Sequence, residues 1–294
     1  LHVGGDVDFV DIDPETYCMC MKALEAKLIH AKVDNNLPKI VTPVHFAGQS
    51  CNMKKLRELA DEYGFFIVED AAHAVGAIYN GKPVGVCEFS DISVFSFHPV
   101  KIITTGEGGM VTTNSAELAQ KMVDIRSHGV TKDEARFTKP SEGPWFYEQQ
   151  SLGCNYRMCD IQSALGLSQI RKLPENIKSR IQISEVYKSQ LGGLPLTFQK
   201  MEEGAVSSWH LFVLKLEDSS KRLEFFNYLR SKNIGVQIHY IPVHTQPYYK
   251  DLGFTEGLCP NAEDYYSRCI SIPMYHTLAE DDQQYVIDTI KKFF

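Results

Sequence analysis

Long apolar runs, paired cysteine motifs and a positive net charge are all absent from this sequence of 294 residues. No apolar run approaches the roughly 20 residues that a membrane-spanning helix requires. The formal net charge of −7 gives no global positive field to attract nucleic acid or an anionic membrane. We therefore expect neither a membrane nor a nucleic acid among the partners. The 44% of hydrophobic and 23% of charged residues indicate a globular protein with a sizeable core.

The eight cysteines are too few for a disulfide framework in a chain of this length. None of them forms the CxxC pair that is typical of zinc sites, so we expect reduced thiols, no metal and a cytoplasmic location. No signal peptide is visible. Because the chain opens with Leu1 rather than Met, we expect the natural start to lie upstream.

Strand-like and helix-like segments alternate through the first half, which predicts an α/β domain with a mostly parallel sheet flanked by helices. The segment 65–70 is almost continuously apolar and ends in two carboxylates, which is typical of a central parallel strand. Further strands are predicted over residues 7–12, 39–44, 92–97 and 110–113, and helices over 16–30, 52–63, 118–126 and 160–173.

The pattern changes in the second half, where a predicted helix over residues 174–191 leads into a smaller α+β region. We predict a cofactor-binding large domain over residues 1–173, and a linker helix with a small C-terminal domain over 174–294. Within this second part the predicted strands are 210–216 and 235–240, and the predicted helices are 222–232 and 281–294.

Polar residues follow the ends of two predicted strands. Asp70 and His73 lie at and after one strand end, and Ser96 and Lys101 lie at and after another. Ligands of α/β sheets collect at the carboxyl ends of strands, so these residues could share one crevice. A lysine amine beside a carboxylate is what pyridoxal phosphate chemistry requires. The spacing alone favours a plainer interpretation, in which Asp70 caps a helix and Lys101 is a solvated loop lysine.

Four motifs in order along the chain resemble the signature of the DegT/StrS-type sugar aminotransferases. They are residues 68–74 (VEDAAHA), 95–101 (FSFHPVK), 105–110 (TGEGGM) and 152–166 (LGCNYRMCDIQSALG). The resemblance covers essentially all of the chain. It implies a pyridoxal-phosphate enzyme of fold-type I, with a large α/β domain and a smaller C-terminal α+β domain.

This resemblance also assigns roles to individual residues. Lys101 would be the lysine that forms the Schiff base with pyridoxal phosphate, and also the base that shuttles the proton. Asp70 would pair with the pyridine nitrogen and His73 would lie near the ring hydroxyl. Ser96 would donate its hydroxyl to the cofactor phosphate. Asn155 would reach the cofactor of a neighbouring subunit, which implies a homodimer with shared active sites.

Three further residues are predicted to bind substrate. Arg157 would contact the carboxylate of the amino donor, L-glutamate, because a guanidinium can bind a carboxylate through two hydrogen bonds. His239 and His244 lie in a C-terminal segment, 239–249, that would contact the sugar nucleotide. Their separation of five positions with a proline between them favours packing or substrate contact over metal binding.

The same C-terminal segment, with residues 272–275, resembles the transaminases of pseudaminic acid biosynthesis, a cell-surface polysaccharide pathway. The resemblance implies a UDP-linked 4-keto-6-deoxy sugar as acceptor and UDP-4-amino-4,6-dideoxy-N-acetyl-β-L-altrosamine as product. One alternative is an aminotransferase for a different nucleotide keto sugar. Another is a non-catalytic regulatory protein that binds the cofactor or a sugar. Lys101 disfavours the family's sugar dehydratases, which have histidine there.

The chain also departs from the family pattern at its beginning. Family members start with further elements that carry a phosphate-binding turn at a helix N-terminus and an aromatic residue that stacks on the cofactor ring. Neither is present here, so we expect a truncated form of a longer enzyme. A helix N-terminus is a principal anion site, and its loss would weaken cofactor binding.

Overall fold

Nine α-helices and twelve short strands make up the computed structural model, which describes residues 1–294. The helices are α1 (Met21–Val33), α2 (Met53–Tyr63), α3 (Ala116–Arg126), α4 (Asp160–Ile170), α5 (Leu173–Leu191), α6 (Arg222–Ser231), α7 (Pro247–Asp251), α8 (Pro260–Arg268) and α9 (Glu280–Lys291). The strands are β1 (Ile40–Val41), β2 (Phe66–Asp70), β3 (Ile78–Tyr79), β4 (Lys82–Pro83), β5 (Ile92–Ser96), β6 (Gly109–Thr112), β7 (Val130–Thr131), β8 (Glu148–Gln149), β9 (Leu196–Phe198), β10 (Ala205–Val206), β11 (Phe212–Leu216) and β12 (Cys269–Ile272). None of the helices is both long and apolar enough to cross a membrane.

The main sheet has four strands in the order β1-β2-β5-β6. Strand β2 pairs in parallel with β1 and with β5, whereas β6 runs antiparallel to β5. Helices flank this mixed, mostly parallel sheet, so the predicted α/β fold class is confirmed. Because β2 and β5 are parallel neighbours, the chain leaves both at the same edge of the sheet.

Helix α2 covers this sheet because its apolar residues recur at helical spacing. It begins after Asn52, whose side chain accepts the Lys55 backbone N–H, and it ends at Gly64 in the left-handed conformation. These are standard N-cap and C-cap arrangements, and the N-cap contributes about 1 kcal/mol. The buried side chains of α1, α2, β1 and β2 form one core: Leu24, Leu28, Val41, Met53, Leu56, Leu59, Ala60, Phe65 and Ile67 are among its members.

A second core lies in the C-terminal part of the chain. The antiparallel sheet β12-β11-β9 packs against α5, α6 and α9. Tyr187, Phe212, Phe225, Ile270 and Ile287 are each fully buried in this core. Helix α5 contributes to it along much of its length, so it belongs with the C-terminal part. The boundary at residues 173 and 174 stays a prediction.

Two predicted strands are wrong. Over residues 7–12, only Ile12 forms a β-bridge, with Met19. The Asp8 and Asp11 carboxylates accept the backbone N–H of the residue after each, at 2.7 and 2.9 Å. These local bonds take up donors that a strand ladder would use.

The other is residues 235–240, which form no strand in the structure. Within this range only Gln237 pairs, through two backbone hydrogen bonds to Ser271 at the edge of β12. The rest of the segment leaves the sheet and carries His239 into the site described below.

The middle of the chain exposes a large apolar surface. No side chain of α3 or α4 is buried, although both helices carry several apolar residues. Leu152, Tyr156 and Ile161 are 91%, 78% and 83% exposed. Apolar residues exposed together to this extent are typical of a surface that further protein covers.

Candidate active site

The carboxyl ends of β2 and β5 bring the predicted site residues to one edge of the main sheet. Asp70 is the last residue of β2 and Ser96 is the last residue of β5. In the parallel register Asp70 lies opposite Val94, so Ser96 lies just beyond it. Lys101 follows Ser96 after a turn closed by its own backbone N–H, which donates to the His98 carbonyl at 2.9 Å.

The Lys101 side chain is half-buried and forms neither a hydrogen bond nor an ion pair within this chain. Burial lowers the pKa of Lys101, and the charge of Asp70 opposes that shift. A partly desolvated lysine without a partner loses its proton more easily than a surface lysine. Its nitrogen is therefore available as a nucleophile and as a base.

The Asp70 carboxylate has one oxygen committed and one free. Its Oδ1 accepts the backbone N–H of Ala72 at 3.0 Å, and no group in the chain donates to its Oδ2. The backbone around Asp70 is fixed as well, because its N–H donates to the Pro43 carbonyl and its carbonyl accepts the His45 N–H. A carboxylate held in this way can accept a hydrogen bond from a protonated pyridine nitrogen and stabilise its charge.

His73 is buried next to these residues. Its Nδ1 accepts the backbone N–H of Ala47 at 3.3 Å, and its Nε2 lies 3.5 Å from the Tyr240 hydroxyl. Burial, together with Lys101 and His239, lowers the pKa of His73 to about 3. The imidazole is therefore neutral near neutral pH.

His210 and Tyr240 are members of the cluster that the sequence did not reveal as site residues. The His210 ring packs on His73 with 4.3 Å between ring centroids. Tyr240 reaches the cluster through its hydroxyl, and burial and Asp70 raise its pKa. His210 opens a predicted strand in the C-terminal part of the chain, so no local pattern places it beside Lys101. Tyr240 directly follows His239 in the segment 239–249 that was selected from the sequence. Membership of that segment was the one sequence signal that could have identified Tyr240.

His239 lies at the cluster, and its predicted role in substrate binding stays a prediction. Its Nδ1 lies 2.8 Å from the Ser271 hydroxyl. Burial and the nearby Lys101 lower the pKa of His239. The C-terminal part of the chain thus completes the site with His210, His239 and Tyr240.

Ser96 and Gly109 lie opposite each other at the ends of β5 and β6, beside the site. The Ser96 Oγ accepts the His98 backbone N–H at 3.3 Å. Gly109 opposes Ser96 in the sheet, and a Cβ at Gly109 would lie 2.6 Å from the Phe95 carbonyl oxygen. Only glycine therefore lets the two strands approach at this point.

Three predicted residues are not part of this cluster. Asn155 and Arg157 are exposed and precede α4. His244 is buried, and its Nε2 lies 2.7 Å from Glu263 Oε1 while its ring contacts Phe9. The roles of all three stay predictions. No group of three or more His, Cys, Asp or Glu residues is placed to hold a metal ion.

These residues fit pyridoxal phosphate. An unpaired amine on Lys101 suits covalent attachment, and the free Asp70 oxygen suits a protonated ring nitrogen. The neutral His73 offers an N–H toward the same edge. The three groups lie at or just after the carboxyl ends of β2 and β5, where ligands of α/β sheets bind.

Comparison with known proteins gives the same chemistry. The DegT/DnrJ/EryC1/StrS aminotransferase family matches residues 1–291. Spore coat polysaccharide biosynthesis protein SpsC of Bacillus subtilis is 38% identical over 99% of this chain and 74% of its own length. The UDP-4-amino-4,6-dideoxy-N-acetyl-β-L-altrosamine transaminase of Campylobacter jejuni is 35% identical over 99% of this chain and 74% of its own length. GDP-perosamine synthase of Vibrio cholerae is 32% identical, covering 97% of this chain and 73% of the synthase.

The fold agrees with solved structures of similar proteins. Helicobacter pylori PseC is described as an aminotransferase involved in the biosynthesis of pseudoaminic acid. It superimposes with a TM-score of 0.89 at 31% identity, over 100% of this chain and 75% of its own.

Proposed function

The chain belongs to the DegT/DnrJ/EryC1/StrS aminotransferase family, and from this premise we propose that it moves the amino group of L-glutamate to a nucleotide-linked 4-keto-6-deoxy sugar. Family members are sugar aminotransferases that depend on pyridoxal phosphate. The observation that best supports the proposal is the unpaired Lys101 amine at the same sheet edge as the free Asp70 oxygen. We place the reaction in the cytoplasm, where eight free cysteines would stay reduced.

The proposed chemistry divides among the residues of the cluster. Pyridoxal phosphate, when bound, supplies an electron-withdrawing ring for the carbon that gains or loses a proton. Lys101 Nζ holds that proton and moves it between the two reacting carbons, since its lowered pKa leaves more free amine. Asp70 Oδ2 keeps the ring nitrogen protonated. His73 Nε2 and Ser96 Oγ donate hydrogen bonds that orient the ring and its phosphate.

We propose the UDP-linked precursor of pseudaminic acid as the sugar. The support is the similarity to the Campylobacter jejuni transaminase and to Helicobacter pylori PseC. A different nucleotide sugar is the second candidate, because GDP-perosamine synthase is similar over nearly the same length. His239 would contact the sugar nucleotide from within the cluster. His244 is buried and bonded to Glu263, so it would support the segment that carries His239.

We further propose a homodimer with shared active sites. Asn155 and Arg157 are exposed near Leu152 and Tyr156, within the large apolar surface that α3 and α4 leave uncovered. A second copy of the chain packed there would bury this surface. It would also bring Asn155 to the partner's cofactor phosphate and Arg157 to the carboxylate of the donor.

A substrate panel tests the proposal. The protein with pyridoxal phosphate would be given L-glutamate and UDP-, GDP- or dTDP-linked 4-keto sugars, and release of 2-oxoglutarate would be measured. We expect turnover with the UDP-linked sugar and none in Lys101→Ala. Turnover with only a GDP- or dTDP-linked sugar would support the second candidate. Cofactor binding without turnover of any sugar would support a regulatory protein instead.

A further inference from the structure

His73 and His210 form a buried pair of imidazoles beside Lys101. Their ring centroids are 4.3 Å apart with the planes inclined at 44°, and the two residues are only 7% and 6% exposed. No carboxylate bonds to either ring. Burial and mutual repulsion both disfavour a charge on rings in such contact. The arrangement therefore keeps both imidazoles neutral.

The groups that face this pair come from both halves of the chain and are mostly cationic or neutral. Lys101 and Arg180 are the cations, and both act on His210. Asp70 is the one nearby carboxylate, and its charge acts on Lys101 and Tyr240. These groups are Asp70 from β2, Lys101 from the turn after β5, Arg180 from α5, and His239 and Tyr240 from the segment before α7.

The backbone of Ala47 determines which nitrogen of His73 carries the proton. The Ala47 N–H donates to Nδ1, and Ala47 adopts a left-handed conformation, with φ of 60°, in doing so. A proton on Nδ1 would set two donors against each other, so the proton of the neutral ring lies on Nε2. That N–H points toward the Tyr240 hydroxyl, 3.5 Å away. His73 is thus a donor on the side of the ring away from Ala47.

His210 acts on His73 through packing. Its own Nδ1 is buried and has no hydrogen-bond partner, so no hydrogen bond at that atom orients the ring. The backbone next to His210 is held instead, because Arg180 Nη1 donates to the carbonyl of the preceding residue, Trp209, at 2.9 Å. The same nitrogen donates to the Met274 carbonyl at 3.0 Å. With its backbone held by Arg180, His210 packs its ring against His73 at an inclination of 44°.

We infer that His210 is a positioning residue, which excludes water from one face of His73 and so keeps that ring a neutral hydrogen-bond donor from Nε2. Ala47 selects the nitrogen and His210 maintains the neutral state. The recipient of this hydrogen bond, an anionic oxygen on the cofactor ring, rests on the proposed function. The state of His73 itself does not, because it is set by the chain alone.

Nitrogen NMR of the cofactor-free protein tests the inference directly. Long-range proton–nitrogen correlation spectra distinguish the two tautomers of a neutral imidazole from the charged form. We expect His73 to show the Nε2–H tautomer with no titration between about pH 5 and 8, where an ordinary histidine titrates. An Nδ1–H tautomer, or titration in that range, would overturn the inference.

Two substitutions at His210 test whether the packing of a ring, rather than the imidazole itself, keeps His73 neutral. His210→Phe keeps a ring on His73, so the tautomer and the absence of titration should persist. His210→Ala lets water reach His73, so its pKa should rise to near the ordinary histidine value of about 6.5. His210→Ser serves the same purpose if the alanine variant does not fold. An unchanged His73 in the folded small-residue variant would overturn the positioning role.

A binding measurement links this state to the cofactor. If only neutral His73 supports binding, the affinity of the small-residue variant for pyridoxal phosphate should fall about fourfold between about pH 8 and 6, for a His73 pKa near 6.5. His210→Phe should show no such added dependence. Identical pH dependence in both variants would contradict the link to the cofactor. Normal NMR results with no cofactor binding in any variant would instead count against the proposed function.

Discussion

His45 Nε2 lies 2.6 Å from Glu69 Oε2 in the protein interior. Glu69 directly precedes Asp70 in the chain. The His45 Nδ1 accepts the Cys51 backbone N–H, so the proton on Nε2 donates to Glu69. The other Glu69 oxygen accepts from the Ser90 hydroxyl. This buried set ties the end of β2 to the segment that contains Ala47, and it therefore supports both Asp70 and His73.

Removal of the Glu69 acceptor should destabilise the protein. Glu69→Ala leaves the buried N–H of His45 without a partner, which should lower the free energy of unfolding by about 1–3 kcal/mol. Glu69→Gln is the matched control, because its amide oxygen can still accept from His45, and it should lose less. Urea unfolding of the three proteins measures the effect. Equal stability of Glu69→Ala and wild type would contradict a structural role for this pair.

Asp70→Asn should reduce transamination and shift its pH dependence. Loss of a group that maintains protonation at the reaction centre is expected to reduce the rate about 10²- to 10⁴-fold. The charge of Asp70 raises the pKa of Lys101 against the effect of burial, so its loss should lower that pKa. The limb of the pH–rate profile that reports deprotonation of Lys101 should therefore move to lower pH.

Asp70→Glu is the control for Asp70→Asn, since it retains the charge. Its pH–rate profile should keep the Lys101 limb at the wild-type pH, even if the longer side chain alters the geometry and reduces the rate. A limb that stays in place in Asp70→Asn would mean that Asp70 does not act on Lys101.

The buried histidine pair should make the fold sensitive to acid. The pKa of His210 falls to about 2 on folding, through burial and the nearby His73 and Lys101, whereas it is about 6.5 in the unfolded chain. Below about pH 6.5 the unfolded state binds the extra proton, so stability is fully present above that pH and is lost as the pH falls. His210→Phe removes this group.

Unfolding free energies at about pH 7.5 and 5.5 measure this sensitivity. The wild type should lose about 1.4 kcal/mol more than His210→Phe over this interval. Other titrating groups are common to both proteins and cancel in the comparison. The same loss in both would show that His210 is not held neutral by the fold.

The strands that end at Asp70 and Ser96 could be predicted because their signals are local. The run 65–70 is apolar up to its two final carboxylates, and the structure places β2 there, covered by α2. Residues 7–12 have a similar pattern, but their aspartates bond their own backbone. Such competition between side-chain and ladder hydrogen bonds depends on conformation and is not visible in the pattern.

The second half of the site could not be predicted from local patterns. His210 meets His73 only because the C-terminal core places the start of β11 against the edge of the main sheet. Its backbone is held there by Arg180 of α5, which bonds the carbonyls of Trp209 and Met274 and so joins three distant parts of the chain. His239 and His244 were selected together from one segment, yet they contact different partners, Ser271 and Glu263.

A shared active site predicts that two inactive variants restore activity when mixed. Lys101→Ala removes the lysine from its own subunit, whereas Asn155→Ala is proposed to impair the site of the partner. In a dimer that contains one of each, both changes fall on the same site and the other site is intact. Random exchange makes half of the dimers mixed, so about a quarter of the sites should be active. The measurement is 2-oxoglutarate release after the variants are unfolded and refolded together. Activity no higher than the average of the two separate variants would show that Asn155 serves its own subunit or neither.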